Sequence, residues 1–274
     1  MIAFNGKYLV YASGIAMIVT AVVQTIYSVL TGLPMAATLP GLIISLLLFV
    51  GTTLVALAYY KRKSTVDVDQ LIDVYNEACD PSAFVSQSQM YVNGMNPPYD
   101  NASSWFMSYY AQALLDLGRV SEAQKIEQDM YESIKESTGL DQQAKIIVNL
   151  VPLAQKLLGP ADTVPIIQKG LELLQTGEAG KDAPAYEAYL QNQLVICTAL
   201  AENDVEKLVR FYSSARNNET MPLRIRVEQA WEEAKIHYAQ GDTQREIECL
   251  EFISTKGNKL AFVKQAHDRL VSLS

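Results

Sequence analysis

The amino-acid sequence predicts an all-α fold: a transmembrane hairpin of two helices in residues 1–63, followed by a helical domain in residues 64–274. Two long apolar runs, residues 8–30 and 39–60, contain no charged residue. After them, segments rich in Ala, Leu, Gln, Glu and Lys alternate with short breaks of Gly, Asn, Asp and Pro, which is typical of helices joined by turns. No stretch shows the period-2 alternation of a half-buried strand.

Each apolar run is long enough to cross a lipid bilayer as a helix. The runs contain 23 and 22 residues, and at about 1.5 Å per residue each spans the roughly 30 Å hydrocarbon core. Gly32, Pro34 and Pro40 break the chain between them, so we expect the helices, about residues 8–30 and 39–60, to form a hairpin. The first run is longer than the apolar region of a typical signal peptide, which favours a retained span over a cleaved leader.

Basic residues flank the hairpin on one side only. Lys7 precedes the first run, Lys61, Arg62 and Lys63 follow the second, and the connecting loop has no Lys or Arg. By the positive-inside rule, both termini are expected on the cytoplasmic side of the cell membrane. The Lys61–Lys63 cluster is the predicted anchor at the membrane interface.

A stripe of small residues runs along the first span. Ala12, Ala16 and Thr20 recur every four residues. Small residues let helices approach closely within a bilayer, so these three are the predicted transmembrane packing residues. They would serve either the packing of the hairpin on itself or the docking of another membrane protein.

The domain that follows the hairpin is acidic. Residues 64–274 carry 18 of the 22 Lys and Arg residues and all 30 Asp and Glu residues, which gives a net charge of −12. Such a surface is repelled by nucleic acid phosphates and by anionic lipid headgroups. We therefore expect no nucleic acid partner.

The three cysteines, Cys79, Cys197 and Cys249, are far apart and form no CxxC motif. An odd number of unpaired thiols suits a reducing compartment, in agreement with a cytoplasmic domain. We expect all three to be buried as small apolar side chains.

Four turn sequences in the helical domain can be aligned with one another. Taking Gly118, Gly159, Asn203 and Gly241 as the equivalent position gives spacings of 41, 44 and 38 residues. Each turn is flanked by helical segments. The regular spacing predicts repeated helix hairpins.

Small and aromatic residues recur around these turns: Ala111 and Ala123 flank the first, and Tyr212 and Ala215 follow the third. This pattern resembles the tetratricopeptide-repeat superfamily, whose 34-residue unit has small residues where its two helices cross. The residues that depart from that pattern are Glu127, Met130 and Glu246. The resemblance implies a tetratricopeptide-repeat-like α-solenoid over roughly residues 66–274. An irregular helical bundle is the alternative.

A loop interrupts the helical pattern at residues 92–104, which contain an Asn-Gly and a Pro-Pro pair. We expect Ser103 or Ser104 to cap a helix that begins at Trp105. The aromatic candidates for partner binding in and after this loop are Tyr99, Trp105 and Tyr109. They would form a binding rim or, alternatively, pack over the open end of the first helix hairpin.

Basic residues cluster between residues 207 and 226, against the acidic background. The candidates for partner binding are Arg210, Arg216, Arg224 and Arg226. The resemblance implies a concave groove lined by the inner helices, in which arginines could bind carboxylates of a peptide. The alternative is a solvated helix face with intrahelical ion pairs, since Arg224 precedes Glu228 by four residues.

Motifs of catalysis and cofactor binding do not occur in the sequence, which has no GxSxG, GxxxxGK[ST] or GxGxxG. His237 follows Glu233 by four residues, on one helical face, but without the further ligands of an HExxH-type set. We therefore expect no catalytic residue, cofactor, metal site or small-molecule substrate.

Taken together, these features predict a non-enzymatic adaptor or scaffold. A membrane hairpin would hold a helical-repeat domain, and with it a protein partner, at the cytoplasmic face of the membrane. The alternative is an accessory subunit of a larger membrane enzyme or transporter complex, recruited through its hairpin.

Overall fold

A computed structural model describes residues 6–32, 34, 39–137, 139–176 and 182–273, and its regular structure over these residues is entirely α-helical. The helices are α1 (Gly6–Thr31), α2 (Leu39–Asn76), α3 (Pro81–Val92), α4 (Asn101–Asp116), α5 (Val120–Glu136), α6 (Leu140–Leu157), α7 (Pro160–Gln175), α8 (Ala183–Ala201), α9 (Val205–Asn217), α10 (Leu223–Gln240), α11 (Thr243–Lys256) and α12 (Val263–Leu273). The all-α prediction is confirmed.

The chain divides into two compact units between Gln70 and Leu71. The N-terminal unit holds α1 and most of α2, and the C-terminal unit holds the end of α2 and every later helix. Helix α2 runs without interruption through residues 63 and 64. The domain boundary predicted there stays a prediction.

One helix of the described residues is long and apolar enough to cross a membrane. It is the 22-residue stretch Val10–Thr31, near the N-terminus, and only 6% of its apolar window is buried. The apolar stretch of α2, Ile43–Tyr59, is shorter. Most of the predicted connecting loop, residues 33 and 35–38, lies outside the described residues.

The predicted packing residues of α1 differ in burial. Ala12 and Ala16 are fully buried, and Thr20 is half-buried. Nearby, the Gln24 Nε2 group donates a hydrogen bond of 3.0 Å to Ser45 Oγ, which joins α1 to α2. The predicted pair of membrane spans stays a prediction. The predicted anchors Lys61, Arg62 and Lys63 lie within α2, and their side chains are outside the described part.

In the C-terminal unit, each predicted turn lies between two helices. Gly118 joins α4 to α5, Gly159 joins α6 to α7, Asn203 joins α8 to α9, and Gly241 joins α10 to α11. The φ angles at these four positions are 73°, 90°, 55° and 72°. All four φ angles are positive, which Gly and Asn tolerate best, and at Gly159, with a ψ angle of 170°, the backbone suits glycine alone.

The middle helices of this unit, α4 to α8, pack on one another, with an apolar core between α6, α7 and α8. Helices α4, α6 and α8 contact one another in succession, and α5 and α7 pack between them. Buried side chains of Ile147, Val151, Ile167 and Leu190 fill the space between α6, α7 and α8. Gly170 lets α7 approach closely, because a Cβ atom there would lie 2.8 Å from side-chain atoms of Ile147 and of Leu190.

The last part of the C-terminal unit contacts its first turn. After α11, the backbone N–H of Lys259 donates to the carbonyl of Cys79, at 3.2 Å, and Lys259 Nζ pairs with the Asp80 carboxylate. The amide of Asn258 donates to the Ala78 carbonyl, at 2.6 Å. In a linear solenoid each helix pair contacts only its neighbours. Here, in contrast, the segment that follows α11 bonds to the turn between α2 and α3.

The predicted start of α4 was wrong by four residues. The helix begins at Asn101, and its cap is Asp100, whose Oδ1 accepts a hydrogen bond of 2.8 Å from the Ser103 N–H. In return, Ser103 Oγ accepts a bond of 2.9 Å from the Asp100 N–H. This reciprocal capping box satisfies two free backbone donors, which a cap at Ser103 alone would not.

Candidate functional site

A buried arginine joins the start of α10 to the end of α2. The side chain of Arg224 is 2% exposed, its Nε donates to Asn76 Oδ1 at 3.1 Å, and its Nη1 donates to Glu228 Oε1 at 2.6 Å. Its guanidinium carbon lies 4.4 Å from the centre of the Tyr75 ring. Burial acts to lower the pKa of Arg224, but Glu228, Tyr75, Tyr109 and Asp116 together outweigh burial, and the pKa is raised. The residue therefore stays charged inside the unit.

Two further charged groups extend this cluster to α4 and α6. Lys156 Nζ lies 2.9 Å from Glu228 Oε1, and the Tyr75 hydroxyl donates to Asp116 Oδ2 at 2.6 Å. Burial acts to raise the pKa of Glu228, but Arg224 and Lys156 outweigh it and hold the pKa below its ordinary value. Asp116, with burial as the main cause, has a raised pKa. We call Tyr75, Asp116, Lys156, Arg224 and Glu228 the inner cluster.

The arginines predicted to bind partner carboxylates are engaged by groups of the chain itself. Arg224 pairs with Glu228, as above, and Arg216 Nε lies 2.8 Å from Glu233 Oε2. Arg226 Nε donates to the Arg216 carbonyl at 2.9 Å. Because Arg224 is buried, a partner surface does not include it in this conformation.

Arg210 follows the alternative prediction, that of a solvated helix face with intrahelical ion pairs. It is exposed on α9, and its Nη2 lies 2.8 Å from Glu206 Oε1, one turn earlier. The predicted arginines thus divide into Arg210, which is exposed and bonds within its own helix, and three that are buried or half-buried and bond to other helices: Arg216, Arg224 and Arg226.

The predicted aromatic residues also separate into two groups. Tyr99 is buried, and its N–H donates to Ser133 Oγ on α5 at 2.8 Å. Trp105 and Tyr109, on α4, are half-buried and meet edge-on with ring centres 5.4 Å apart. Tyr99 packs inside the unit, and Trp105 and Tyr109 keep part of their surface accessible.

Amide side chains connect the helices of the layer that carries Trp105 and Tyr109. Asn149 of α6 donates to Ser104 Oγ of α4 at 2.8 Å, and Gln155 of α6 donates to Gln193 Oε1 of α8 at 2.8 Å. Half-buried aromatic rings and amides are groups that can pack against and hydrogen-bond an extended peptide. We call the side of the unit formed by α4, α6 and α8 the α4–α6–α8 layer.

A second buried cluster lies where α10 packs on α11. Glu233 and His237 are one turn apart on α10, Cys249 lies on α11, and these side chains are 3%, 1% and 1% exposed. A carboxylate oxygen, a ring nitrogen and the sulfur of these residues all lie within 4.8 Å of one another. Burial, with a smaller contribution from the Glu233 carboxylate, raises the pKa of Cys249 to about 12. The thiol is therefore neutral when only protein groups surround it.

The imidazole of His237 lies between two carboxylates. Its Nε2 is 3.6 Å from Glu233 Oε1, and its Nδ1 is 3.9 Å from Asp242 Oδ2. Both distances are too long for a hydrogen bond, and neither nitrogen has a hydrogen-bond partner among the residues that the structure describes. His237 also lines a cleft of about 500 Å³ between α9 and α10, together with Arg210 and Arg245.

Sequence reasoning placed Glu233 and His237 on one face but missed Cys249. The spacing of Glu233 and His237 is local to α10, but Cys249 joins them only because α11 folds back onto α10. No sequence signal marks that juxtaposition. Comparisons of the chain with protein-family models, with curated proteins and with solved structures found no match.

Proposed function

We propose that this protein is a membrane-anchored helical adaptor that binds a protein partner at the cytoplasmic face of the cell membrane. The observation that carries the proposal is the combination of an apolar helix, Val10–Thr31, that is almost unburied, with a separately packed helical unit that begins at Leu71. A tether raises the effective concentration of a bound partner at the membrane.

The membrane anchor is supported by the side chains that α1 exposes. Ile18, Val29 and Leu30 are 66%, 78% and 79% exposed. Leaving one such side chain in water instead of an apolar environment costs about 1.5–3 kcal/mol. We propose that the apolar stretch of α2 is a second span, because its 17 residues, Ile43–Tyr59, extend about 25 Å as a helix.

The basic residues at both ends of the hairpin support a cytoplasmic location for both termini. A single cysteine in place of Thr31, at the end of α1, tests this orientation in intact cells. We expect a membrane-impermeant thiol reagent to label Thr31→Cys from outside, whereas Lys169→Cys, on α7, reacts only after permeabilisation. The native chain is the control, since its three cysteines are buried. Labelling of Lys169→Cys in intact cells would indicate the opposite orientation, with the C-terminal unit outside the cell.

The adaptor role is supported by the α4–α6–α8 layer, which we propose as a tetratricopeptide-repeat-like surface for an extended protein segment. Trp105 and Tyr109 are half-buried there, and partly exposed Trp and Tyr are enriched in protein interfaces. The net charge of −12 over residues 64–274 opposes nucleic acid as the partner.

Photo-crosslinking of the full chain in membranes tests this surface. We expect a photoreactive amino acid at Trp105 to form a discrete crosslinked product with one protein. The same group at Lys169, 59% exposed on α7, should not give that product. Equal crosslinking from both positions, or none from Trp105, would count against the adaptor.

An accessory subunit recruited through the hairpin is the second candidate function. The N-terminal unit has a groove of about 540 Å³ lined by Ile15, Gly51, Val55 and Tyr59, among others. A glycine in such a groove permits close approach of a helix from another membrane protein. In that case Gly51→Leu would abolish association in detergent and Trp105→Ala would not, whereas the adaptor predicts the reverse.

A further inference from the structure

The cluster at the α10–α11 contact has the composition of a metal site. Glu233, His237 and Cys249 offer oxygen, nitrogen and sulfur ligands, the three types that Zn²⁺ binds in proteins. Around a tetrahedral zinc ion, neighbouring ligand atoms are roughly 3.3–3.7 Å apart, given metal–ligand distances of about 2.0–2.3 Å. His237 Nε2 and Glu233 Oε1 are already 3.6 Å apart. The third ligand atom lies within 4.8 Å of both.

The unpartnered imidazole is the independent sign that a ligand belongs here. A buried polar group without a hydrogen bond is rare and destabilises the folded state. His237 is 1% exposed, and both of its ring nitrogens are without a partner in the described part of the chain. A cation bound at Nε2 would satisfy the nitrogen that faces Glu233 and Cys249.

From this geometry we propose that Glu233, His237 and Cys249 bind one zinc ion. Binding breaks the S–H bond of Cys249: the proton passes to solvent, and the sulfur electron pair forms the bond to zinc. Glu233 contributes its Oε1 and His237 its Nε2. The site would join α10 to α11, and it is independent of whether the protein acts as an adaptor.

Neighbouring residues are placed to orient two of the ligands. Arg216 holds the Glu233 carboxylate through both of its oxygens: Nε lies 2.8 Å from Oε2, and Nη2 lies 3.5 Å from Oε1, the oxygen that is 3.6 Å from His237 Nε2. On the other side of the ring, Asp242 Oδ2 is 3.9 Å from His237 Nδ1. An approach of about 1 Å would let this carboxylate accept the second N–H of a zinc-bound histidine, which is a common role of outer carboxylates.

One of the three ligands, His237, also lines a cleft at the surface of the unit. Its volume is about 500 Å³, and its lining includes Glu206, Gln240 and His237 itself. A water molecule in the fourth coordination position would complete the tetrahedron. Three protein ligands and one water is a frequent arrangement around zinc.

Titration of the chelator-stripped full chain with Co²⁺, in detergent under reducing conditions, tests the proposal. Cobalt replaces zinc in such sites, and a thiolate ligand gives it a charge-transfer absorption band. We expect one equivalent of Co²⁺ to bind with this band and Zn²⁺ to displace it. Cys249→Ser should lose the band, and the matched control Cys197→Ser, another buried cysteine, should retain it.

The Zn²⁺ affinity of single variants distinguishes the three ligands from Asp242, which contacts the metal only through His237. We expect His237→Gln and Glu233→Gln to weaken Zn²⁺ binding by more than about 100-fold, and Asp242→Asn by about 10–100-fold. X-ray absorption of the zinc-loaded native chain needs no variant, and should show one sulfur at about 2.3 Å with nitrogen and oxygen at about 2.0–2.2 Å. Absence of stoichiometric binding, a coordination shell without sulfur, or a band that survives in Cys249→Ser would overturn the site.

Discussion

Arg224 and Glu228, one turn apart on α10, form an ion pair of 2.6 Å between Nη1 and Oε1, with side chains that are 2% and 14% exposed. Glu228 also receives Lys156 from α6, and Arg224 reaches Asn76 at the end of α2. These two residues of α10 therefore join it to α6 and to the end of α2. Their energetic role can be measured, because Trp105 and Trp231, the two tryptophans of the chain, both lie in this unit.

Removal of the Arg224 side chain should strongly destabilise the C-terminal unit. Arg224→Ala leaves Glu228 buried with only one cationic partner, and breaking a buried pair in this way costs about 3–5 kcal/mol. Urea unfolding of the full chain in detergent, followed by tryptophan fluorescence, measures the free energy of unfolding. Arg210→Ala removes an exposed pair with Glu206 and should cost less than about 1 kcal/mol. Similar losses in the two variants would contradict a structural role of the inner cluster.

Gly170→Ala should destabilise the unit although alanine favours helices. The gain in helix propensity is up to about 1 kcal/mol, but the new Cβ would lie 2.8 Å from side-chain atoms of Ile147 and Leu190. Forcing such a contact in a packed core costs roughly 1–3 kcal/mol, so we expect a small net loss. Lys169→Ala, at an exposed position of the same helix, is the control and should change the free energy of unfolding little. A more stable Gly170→Ala variant would show that α7 can move away from α6 and α8.

The effect of a substitution at Asn203 on stability should depend on how well the new residue tolerates a positive φ angle. Its φ angle is 55°, and a left-handed conformation costs residues with a Cβ roughly 1–2 kcal/mol, with less for Asn. We expect Asn203→Val to lower the free energy of unfolding by about that amount, and Asn203→Gly to leave it nearly unchanged. Equal effects of Val and Gly would mean that the Asn203 side chain, not its φ angle, matters at this turn.

The ion pair of Asp80 with Lys259 should make stability depend on pH. Burial acts to raise the pKa of Asp80, but hydrogen bonds from Lys259 and from the Ala83 N–H outweigh it, and the pKa is held below its ordinary value of 3.8. The stabilisation is therefore present above about pH 4 and is lost as the pH falls below 3.8.

Asp80→Asn isolates this contribution, because asparagine caps a helix as well as aspartate does. At pH 7 we expect the variant to be less stable by up to about 1 kcal/mol, and at pH 3 the difference should shrink. Urea unfolding midpoints at the two pH values provide the measurement. A difference that stays constant would assign the effect to the cap or to packing.

Features set by local backbone conformation could be predicted from the sequence. The four turns at Gly118, Gly159, Asn203 and Gly241 all have positive φ angles, and such positions select Gly or Asn within a few residues of chain. The start of α4 is also set locally, but its prediction was wrong. Asp100 and Ser103 are both residue types that cap helices, and in the structure Asp100 is the cap and Ser103 completes its capping box.

Features set by packing between helices could not be predicted in this way. Arg224 bonds to Asn76 over a separation of 148 residues. Its position in the sequence resembles that of a surface arginine with an intrahelical partner. Likewise, Cys249 meets Glu233 and His237 only through the α10–α11 contact. The periodicity of one helix carries no information about which side chains of another helix lie opposite it.

The bonds from Asn258 and Lys259 to the turn after α2 also have a consequence for synthesis of the protein. Asn258 and Ala78 are 180 residues apart, and a ribosome adds about 5–20 residues per second, so their emergence is separated by roughly 10–40 seconds. Until Asn258 and Lys259 emerge, their bonds to the carbonyls of Ala78 and Cys79 cannot form. The first turn of the C-terminal unit is thus among the last parts of the nascent protein to reach its final bonding.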